Sequence, residues 1–236
     1  MRPLLLLVLL AGCAGQDPAP ISGDPEALRL LDAVDAHAVA DAFDDLGRTA
    51  YTADLVVTAL DGDREIGTET VTLRRTAAGT EVERSGTGTL AVGAETAPAL
   101  ADPIAQALTD DPPYLDPVAG QAYRRTVLGD TTIGGARFRL VEAVLTDGRS
   151  ELGVRRVWAA VSEGGRVASV EVERAADSAI YDEASRVRVD LAPHAGGWVP
   201  RRVETDTRTD VPLSAPAHVR TAWRVRPAER GGAVAR

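Results

Sequence analysis

An alternation of apolar and polar residues with a period of two is the feature that most limits how this chain can fold. In RVRVDL, residues 186–191, every second side chain is aliphatic and each of the others is charged. Successive side chains of a β-strand point to opposite faces of the sheet, so the pattern is typical of a strand with one buried and one solvated face. Because the pattern recurs along most of the chain after residue 50, the sequence predicts an antiparallel sheet.

Glycine-containing turns divide the alternating pattern into about ten strands. The explicit turn signals are Asp61-Gly62-Asp63, Gly134-Gly135, Gly164-Gly165 and Gly196-Gly197. Aromatic residues make up only 4% of the chain, so the core must be built from small and β-branched side chains, which favour strands. The predicted strands cover residues 51–60, 66–75, 80–84, 122–128, 136–145, 154–161, 167–174, 186–191, 198–207 and 219–225.

A helical period precedes the first strand. Asp24 suits an N-cap, Pro25 the first helical position and Gly47 the C′ position, which predicts one amphipathic helix between residues 24 and 47. The apolar positions of its buried face are Leu31, Val34, Ala38, Ala42 and Leu46. A second, short helical stretch is predicted around residues 103–108, followed by a proline-rich loop. The fold class is therefore mainly β (α+β), with a large sheet that curls and helices that cover its apolar side.

The N-terminus has the features of a lipoprotein signal peptide. Arg2 is followed by seven aliphatic residues, 4–10, and then by Ala11, Gly12 and Cys13, the only cysteine of the chain. Seven residues are too few to span a bilayer, and the order of charge, apolar run and small residues is that of a cleaved export signal. Leu10-Ala11-Gly12-Cys13 is similar to a bacterial lipobox, which predicts that Cys13 carries a diacylglyceryl group. There are two alternatives: an ordinary signal peptide with a chance cysteine, or a buried thiol.

These signals predict the organisation of the whole chain. Residues 1–12 are the signal peptide, 13–23 the lipidated cysteine and a flexible tether, 24–226 one domain, and 227–236 a disordered tail. Loss of Arg2 takes the formal net charge from -9 to about -10. Such acidity argues against a nucleic-acid partner, because phosphate binding requires a basic face.

The sequence contains no recognisable catalytic or metal-binding motif. His37, His194 and His218 are scattered, and no Gly-x-Ser-x-Gly elbow is present. Asp44-Asp45 and Asp110-Asp111 are interpreted as solvated charges, and Asp61-Gly62-Asp63 lacks the remaining ligands of a calcium loop. We therefore expect a protein that is not an enzyme and has no metal or cofactor.

Three segments of the second half resemble the LolA/LolB-like group of outer-membrane lipoprotein-sorting proteins. They are YRRTVLGDTTIGGARFRLVEA, RRVWAAVSEGGRVASVEVER and VRVDLAPHAGGWVPRRVETDT, with their Gly-Gly turns, their Val-Trp strand and their Gly-Trp-Val-Pro strand opening. The resemblance covers roughly residues 25–225. It implies a strongly curved antiparallel half-barrel whose concave apolar face is covered by the N-terminal helix and the mid-chain helical segment.

The resemblance also implies an apolar cavity that holds a lipid or a lipoprotein acyl chain. The candidates to line it alternate with charged neighbours, and ordinary core packing is the alternative interpretation of each: Phe138, Leu140, Trp158, Val170, Val172, Val187 and Val189. We therefore expect a membrane-anchored envelope lipoprotein that acts as carrier or acceptor of acyl chains. The residue after the cysteine, Ala14, is not the aspartate of inner-membrane retention, which favours the periplasmic face of the outer membrane. A structural or accessory lipoprotein that binds a protein partner through a sheet edge is the alternative.

Overall fold

The computed structural model of the 236-residue chain describes residues 23–35, 38–87, 122–146, 153–177, 182–212 and 217–228. Outside these ranges lie the predicted signal peptide, Cys13, all of the predicted tether except Gly23, the predicted helical stretch around 103–108 and all but the first two residues of the predicted tail. The described residues form two helices, α1 (Pro25–Asp32) and α2 (Ala38–Gly47), and ten strands: β1 (Tyr51–Asp61), β2 (Arg64–Thr76), β3 (Gly79–Thr87), β4 (Tyr123–Ile133), β5 (Ala136–Leu145), β6 (Val154–Val161), β7 (Val167–Asp177), β8 (Asp182–His194), β9 (Gly197–Asp210) and β10 (Ala217–Pro227).

All ten strands belong to one antiparallel sheet, in the order β3-β2-β1-β10-β9-β8-β7-β6-β5-β4. Neighbours in sequence are neighbours in the sheet within β1–β3 and within β4–β10, as hairpin connections require. The two groups meet where β1 pairs with β10, from Tyr51 opposite Pro227 to Leu60 opposite His218. The strand number and the antiparallel pairing predicted from the alternation are confirmed.

The register aligns apolar side chains across the sheet. One row of mutually opposite residues, here called the inner row, crosses eight neighbouring strands and is buried throughout: Val141, Ala159, Val170, Val189, Val203, Trp223, Leu55 and Val71. The face that carries this row is called the inner face. It corresponds to the dry face of the alternating sequence pattern.

Curvature is needed to bury so wide a face. Ten strands about 4.8 Å apart make a sheet roughly 43 Å wide, whereas a helix is only about 10 Å across. Two helices could not cover such a sheet if it were flat, yet Val141 and Val71, near its opposite edges, are both buried. The sheet is a curved, unclosed half-barrel around the helices, as expected.

The helical region differs from the sequence prediction, because the single helix of residues 24–47 is two helices. Asp24 is the N-cap as predicted: its Oδ1 accepts a hydrogen bond from the Glu26 backbone N–H at 2.9 Å. The first helix ends at Asp32, and the second begins at Ala38. α1 packs on β4 and α2 on β9, so a straight helix could not follow the curved sheet to both places.

The β6–β7 turn approaches the interruption between the helices. Gly165, in this turn, has φ +77°, and a Cβ built on it would overlap the carbonyl oxygen of Ala33, the residue after α1. Only glycine combines this backbone conformation with so close an approach. The second glycine of the predicted Gly164-Gly165 turn therefore positions the end of α1.

Candidate functional site

The four valines among the predicted cavity residues lie together on the inner face. Val170, Val172, Val187 and Val189 are buried in one large cluster, here called the main cluster. Three α2 side chains, Val39, Ala42 and Leu46, belong to the same cluster. The valines are thus brought together between the sheet and α2.

The other three predicted residues lie elsewhere. Leu140 and Trp158 line a cleft on the opposite, outer face of the sheet. Phe138 belongs to a small cluster with Ala160 and Ala168, and its ring meets that of Trp198 edge-to-face, with centroids 6.5 Å apart. The seven residues therefore do not line one cavity.

The placement of Arg139 explains why Phe138 and Leu140 do not lie with the valines. The charges at positions 137 and 139 made Phe138 and Leu140 look like inward-facing residues. Arg139 instead faces α1: its Nη2 lies 3.0 Å from Glu26 Oε2, and its register partner Val161 is fully buried. A charged side chain occupies the helix side because a helix carboxylate pairs with it.

α1 is attached to the sheet by a small cluster of its own, here called the α1 cluster: Ala27, Leu30, Leu31 and Val141, with Val127 at its margin. Polar contacts add to it. The Asp24 N–H donates to the Arg125 carbonyl at 2.8 Å, and Arg29 Nη2 lies 2.7 Å from Glu163 Oε2. The Arg125 side chain is buried; burial lowers its pKa, and the nearby charge of Asp32 opposes the shift.

A pocket of about 280 Å³ opens where the α1–α2 junction meets the sheet, here called the junction pocket. Ala42, Val167 and Leu191 line it and also belong to the main cluster. Its other lining residues are Ala33, Asp35, Ala38, Asp41, Asp45, Gly164, Gly165, Arg166 and Trp198. The Arg166 guanidinium carbon lies 5.4 Å from the Trp198 ring centroid. The junction pocket thus joins the surface to apolar residues of the main cluster.

The outer face carries two clefts that share Glu171 and Arg188, together called the outer groove. The first, about 460 Å³, extends from β1 to β7 and is lined by Val56, Thr58, Glu171, Arg186, Arg188, Glu204, Thr205, Asp206, Arg220, Thr221 and Ala222. The second, about 350 Å³, extends from β4 to β8 and is lined by Thr131, Ile133, Leu140, Trp158, Ala160, Ser169, Glu171 and Arg188. Sequence reasoning overlooked this groove because its charges were read only as the solvated face of a sheet.

Asp206 is the centre of a polar network at one end of the outer groove. Its Oδ1 lies 2.8 Å from His218 Nε2, and its Oδ2 accepts from Arg220 Nε at 2.7 Å. His218 Nδ1 lies 3.1 Å from the Gly62 carbonyl oxygen, in the β1–β2 turn. Burial alone would raise the pKa of Asp206, but the hydrogen bonds from Arg220 and His218 outweigh it, and the pKa is lowered.

The residues considered for catalysis or metal binding lie apart. His218 is buried in the network just described, His194 ends β8, and His37 lies outside the described ranges. Asp61-Gly62-Asp63 forms the β1–β2 hairpin turn, as predicted. Within the described residues, no group of three or more metal-ligating side chains comes together, and no helix there is long and apolar enough to cross a membrane.

No protein-family model and no curated protein matches this chain. Among solved structures, it is similar to a Vibrio parahaemolyticus domain described as an outer membrane lipoprotein-sorting protein domain, with 11% identity and a TM-score of 0.30, over 89% of this chain and 94% of that one. A DUF1329 family protein from Desulfovibrio piger ATCC 29098 is similar with 10% identity and a TM-score of 0.26, over 84% and 93%. MucB is similar with 10% identity and a TM-score of 0.31, over 87% and 99%. One of these solved structures is described as a lipoprotein-sorting protein domain, the kind of protein that three segments of the sequence resemble.

Proposed function

We propose that this chain is a bacterial envelope lipoprotein, anchored through Cys13, that binds an acyl chain of a lipid or lipoprotein and is not an enzyme. The observation that carries the proposal is the apolar inner face, buried across eight strands under two short helices and reached through the junction pocket. An acyl chain needs an apolar surface and an entrance, and both are features of this side of the sheet.

The separate attachment of α1 supports a lid role for this helix. The α1 cluster has only four buried residues, whereas α2 contributes to the main cluster. The ion pair between Arg29 of α1 and Glu163 is exposed, and such pairs contribute only about 0–1 kcal/mol. Displacement of α1 would therefore separate the α1 cluster, leave the α2 side chains in the main cluster, and open the inner face beside the junction pocket.

Native lipid extraction tests ligand binding. The domain of residues 16–236 is purified without detergent, its lipids are extracted, and mass spectrometry measures their amount per protein. We expect acyl lipid at about one molecule per protein. Protein that is free of lipid, unfolds cooperatively and takes up no added fatty acid would contradict the proposal.

The anchor is tested separately. In cells that express the full chain, we expect the protein in the membrane fraction, with a diacylglyceryl group on Cys13. The Cys13→Ser variant cannot form the thioether and should lack this group. An unmodified Cys13 in membrane-associated protein would contradict the proposed anchor and leave acyl binding by the domain unaffected.

One observation favours the alternative function, binding of a protein partner through a sheet edge. β3 is an edge strand among the described residues, and its side chains from Glu81 to Gly86 are exposed. An edge strand presents unpaired backbone groups to which an extended segment of another chain can add. Photo-crosslinking from Glu83 in cells tests this: a specific protein adduct supports the alternative, and its absence together with bound lipid supports the carrier.

A further inference from the structure

The outer groove lies on the face of the sheet opposite the proposed acyl-binding face. We propose that it binds a neutral oligosaccharide of a few sugar rings. The two clefts join at Glu171 and Arg188, so the groove crosses the sheet from β1 to β4 on the side opposite the helices. Its occupation requires no movement of α1 or α2.

Hydrogen-bond donors and acceptors alternate across the groove. Among the lining residues, Arg186, Asp206 and Arg220 are successive cross-strand neighbours on β8 to β10, and Glu171, Arg188 and Glu204 are successive cross-strand neighbours on β7 to β9. Arginine only donates hydrogen bonds and an ionised carboxylate only accepts them, whereas a hydroxyl group does both. With strands about 4.8 Å apart, adjacent hydroxyl groups of a sugar can each bridge a guanidinium and a carboxylate.

The charges that line the groove balance. Its arginines, Arg186, Arg188 and Arg220, are matched by three carboxylates, those of Glu171, Glu204 and Asp206. Positive and negative charge are interspersed, because Glu171 Oε1 lies 3.5 Å from Arg186 Nη1 and Glu171 Oε2 lies 3.8 Å from Arg188 Nη1. A strongly anionic ligand would be repelled by the carboxylates, and a strongly cationic ligand by the arginines. The groove therefore favours an uncharged polar ligand.

Two of the three carboxylates form the floor of the groove, and the guanidinium groups form its walls. The side chains of Glu171 and Asp206 are 20% and 23% exposed, whereas those of Arg186, Arg188 and Arg220 are 57%, 45% and 49% exposed. Exposed ion pairs of this kind contribute little to stability, so exchange of one of these contacts for a ligand hydroxyl costs little. The arginine side chains can therefore close over a ligand that contacts the floor.

An aromatic surface lies in the second cleft. Trp158 lines it beside the aliphatic residues Ile133 and Leu140, and the Arg156 guanidinium carbon lies 5.2 Å from the Trp158 ring centroid. Sugar rings combine hydroxyl edges with C–H faces, and an indole offers a flat apolar surface for such faces. A polar row beside an aromatic platform matches both features of an oligosaccharide.

Titration of the purified mature protein with chitotetraose and with maltotetraose tests this proposal, with tryptophan fluorescence and calorimetry as readouts. We expect at least one to bind, and the fluorescence change to come from Trp158. Trp158→Leu should weaken binding at least tenfold, whereas Trp158→Phe should retain most of it. Glu171→Gln should also weaken binding about tenfold, whereas the matched control Glu81→Gln, on exposed edge strand β3, should have no effect.

Three results would overturn the proposal: neither sugar binds at millimolar concentration, the Glu171→Gln variant binds like the unaltered protein, or an extended peptide of similar length binds more tightly than both sugars. Circular dichroism establishes that each variant is folded. Lipid extraction reports on the opposite face, so failure of sugar binding and failure of acyl binding are distinguishable.

Discussion

At the scale of single residues, His218 and Asp206 connect the last two strands to the β1–β2 turn, which is distant from them in sequence. His218 on β10 contacts the carboxylate of Asp206 on β9 and the carbonyl of Gly62 in the β1–β2 turn. The network thus crosses the seam between the N-terminal hairpins and the rest of the sheet. The sequence did not indicate this contact, because cross-strand partners depend on the register of the sheet.

The lowered pKa of Asp206 makes its contribution to stability dependent on pH. A carboxylate whose pKa is lower in the folded protein stabilises it above the unfolded pKa, about 3.9, and the contribution is lost as the pH falls through the folded value. We expect Asp206→Asn to lower the melting temperature at pH 7, and the difference to shrink below about pH 4. Thermal unfolding of both proteins between pH 7 and 2.5 measures this, and an equal difference at every pH would contradict it.

Ala195 is strained by its backbone conformation. It has φ +52° in the turn between β8 and β9, where an L-residue other than glycine costs roughly 1–2 kcal/mol. Ala195→Gly should therefore raise the free energy of unfolding by about 1 kcal/mol. The control is Ala78→Gly in the β2–β3 turn, whose φ is not positive. Urea unfolding curves compare the two, and equal effects would refute the assignment of strain.

At the scale of elements, strands were predictable and the helices only partly so. The residues of β5 and β6 were predicted without error, and most other strands within a few residues, because alternation and glycine turns are local signals. The sequence between Asp32, the end of α1, and Ala38, the start of α2, has no proline or glycine, and Val34 continues the apolar period. The curvature of the sheet causes the interruption between the helices, and no local pattern reports that curvature.

Gly165 offers a test of the helix junction. Gly165→Ala should displace the β6–β7 turn from Ala33, loosen α1 and, because α1 is the proposed lid, increase the rate at which the proposed acyl ligand exchanges. The control is Gly135→Ala, because Gly135 has a similar φ of +81° but open space where its Cβ would lie. Hydrogen exchange of α1 amides and lipid-exchange rates are the measurements. We expect both to rise in the Gly165 variant alone; equal changes in the two variants would indicate backbone strain without a specific effect on α1.

At the scale of the whole molecule, the sheet has two faces of different chemistry, which can be distinguished by mutation. Val189 is fully buried in the inner row, whereas Leu140 is partly exposed in the outer groove. Val189→Ala should lower the free energy of unfolding by roughly 1–3 kcal/mol, and Leu140→Ala by less than about 1 kcal/mol. Denaturant unfolding provides both values. A larger loss for Leu140 would place it in the core, as the sequence alone suggested.

The pairing of β1 with β10 has a consequence for the order in which the protein folds. The β1–β10 ladder joins residues near 51 to residues near 227, so it forms only after almost the entire chain has emerged. Until then β1 has an unpaired apolar edge, which is open to aggregation. Because the β1–β10 seam is internal to the sheet, loss of the C-terminal strand would divide the sheet rather than trim it. In a chain released before residue 217, strands β1–β3 and strands β4–β9 would form two separate sheets. We expect such a chain to require a chaperone or to be degraded.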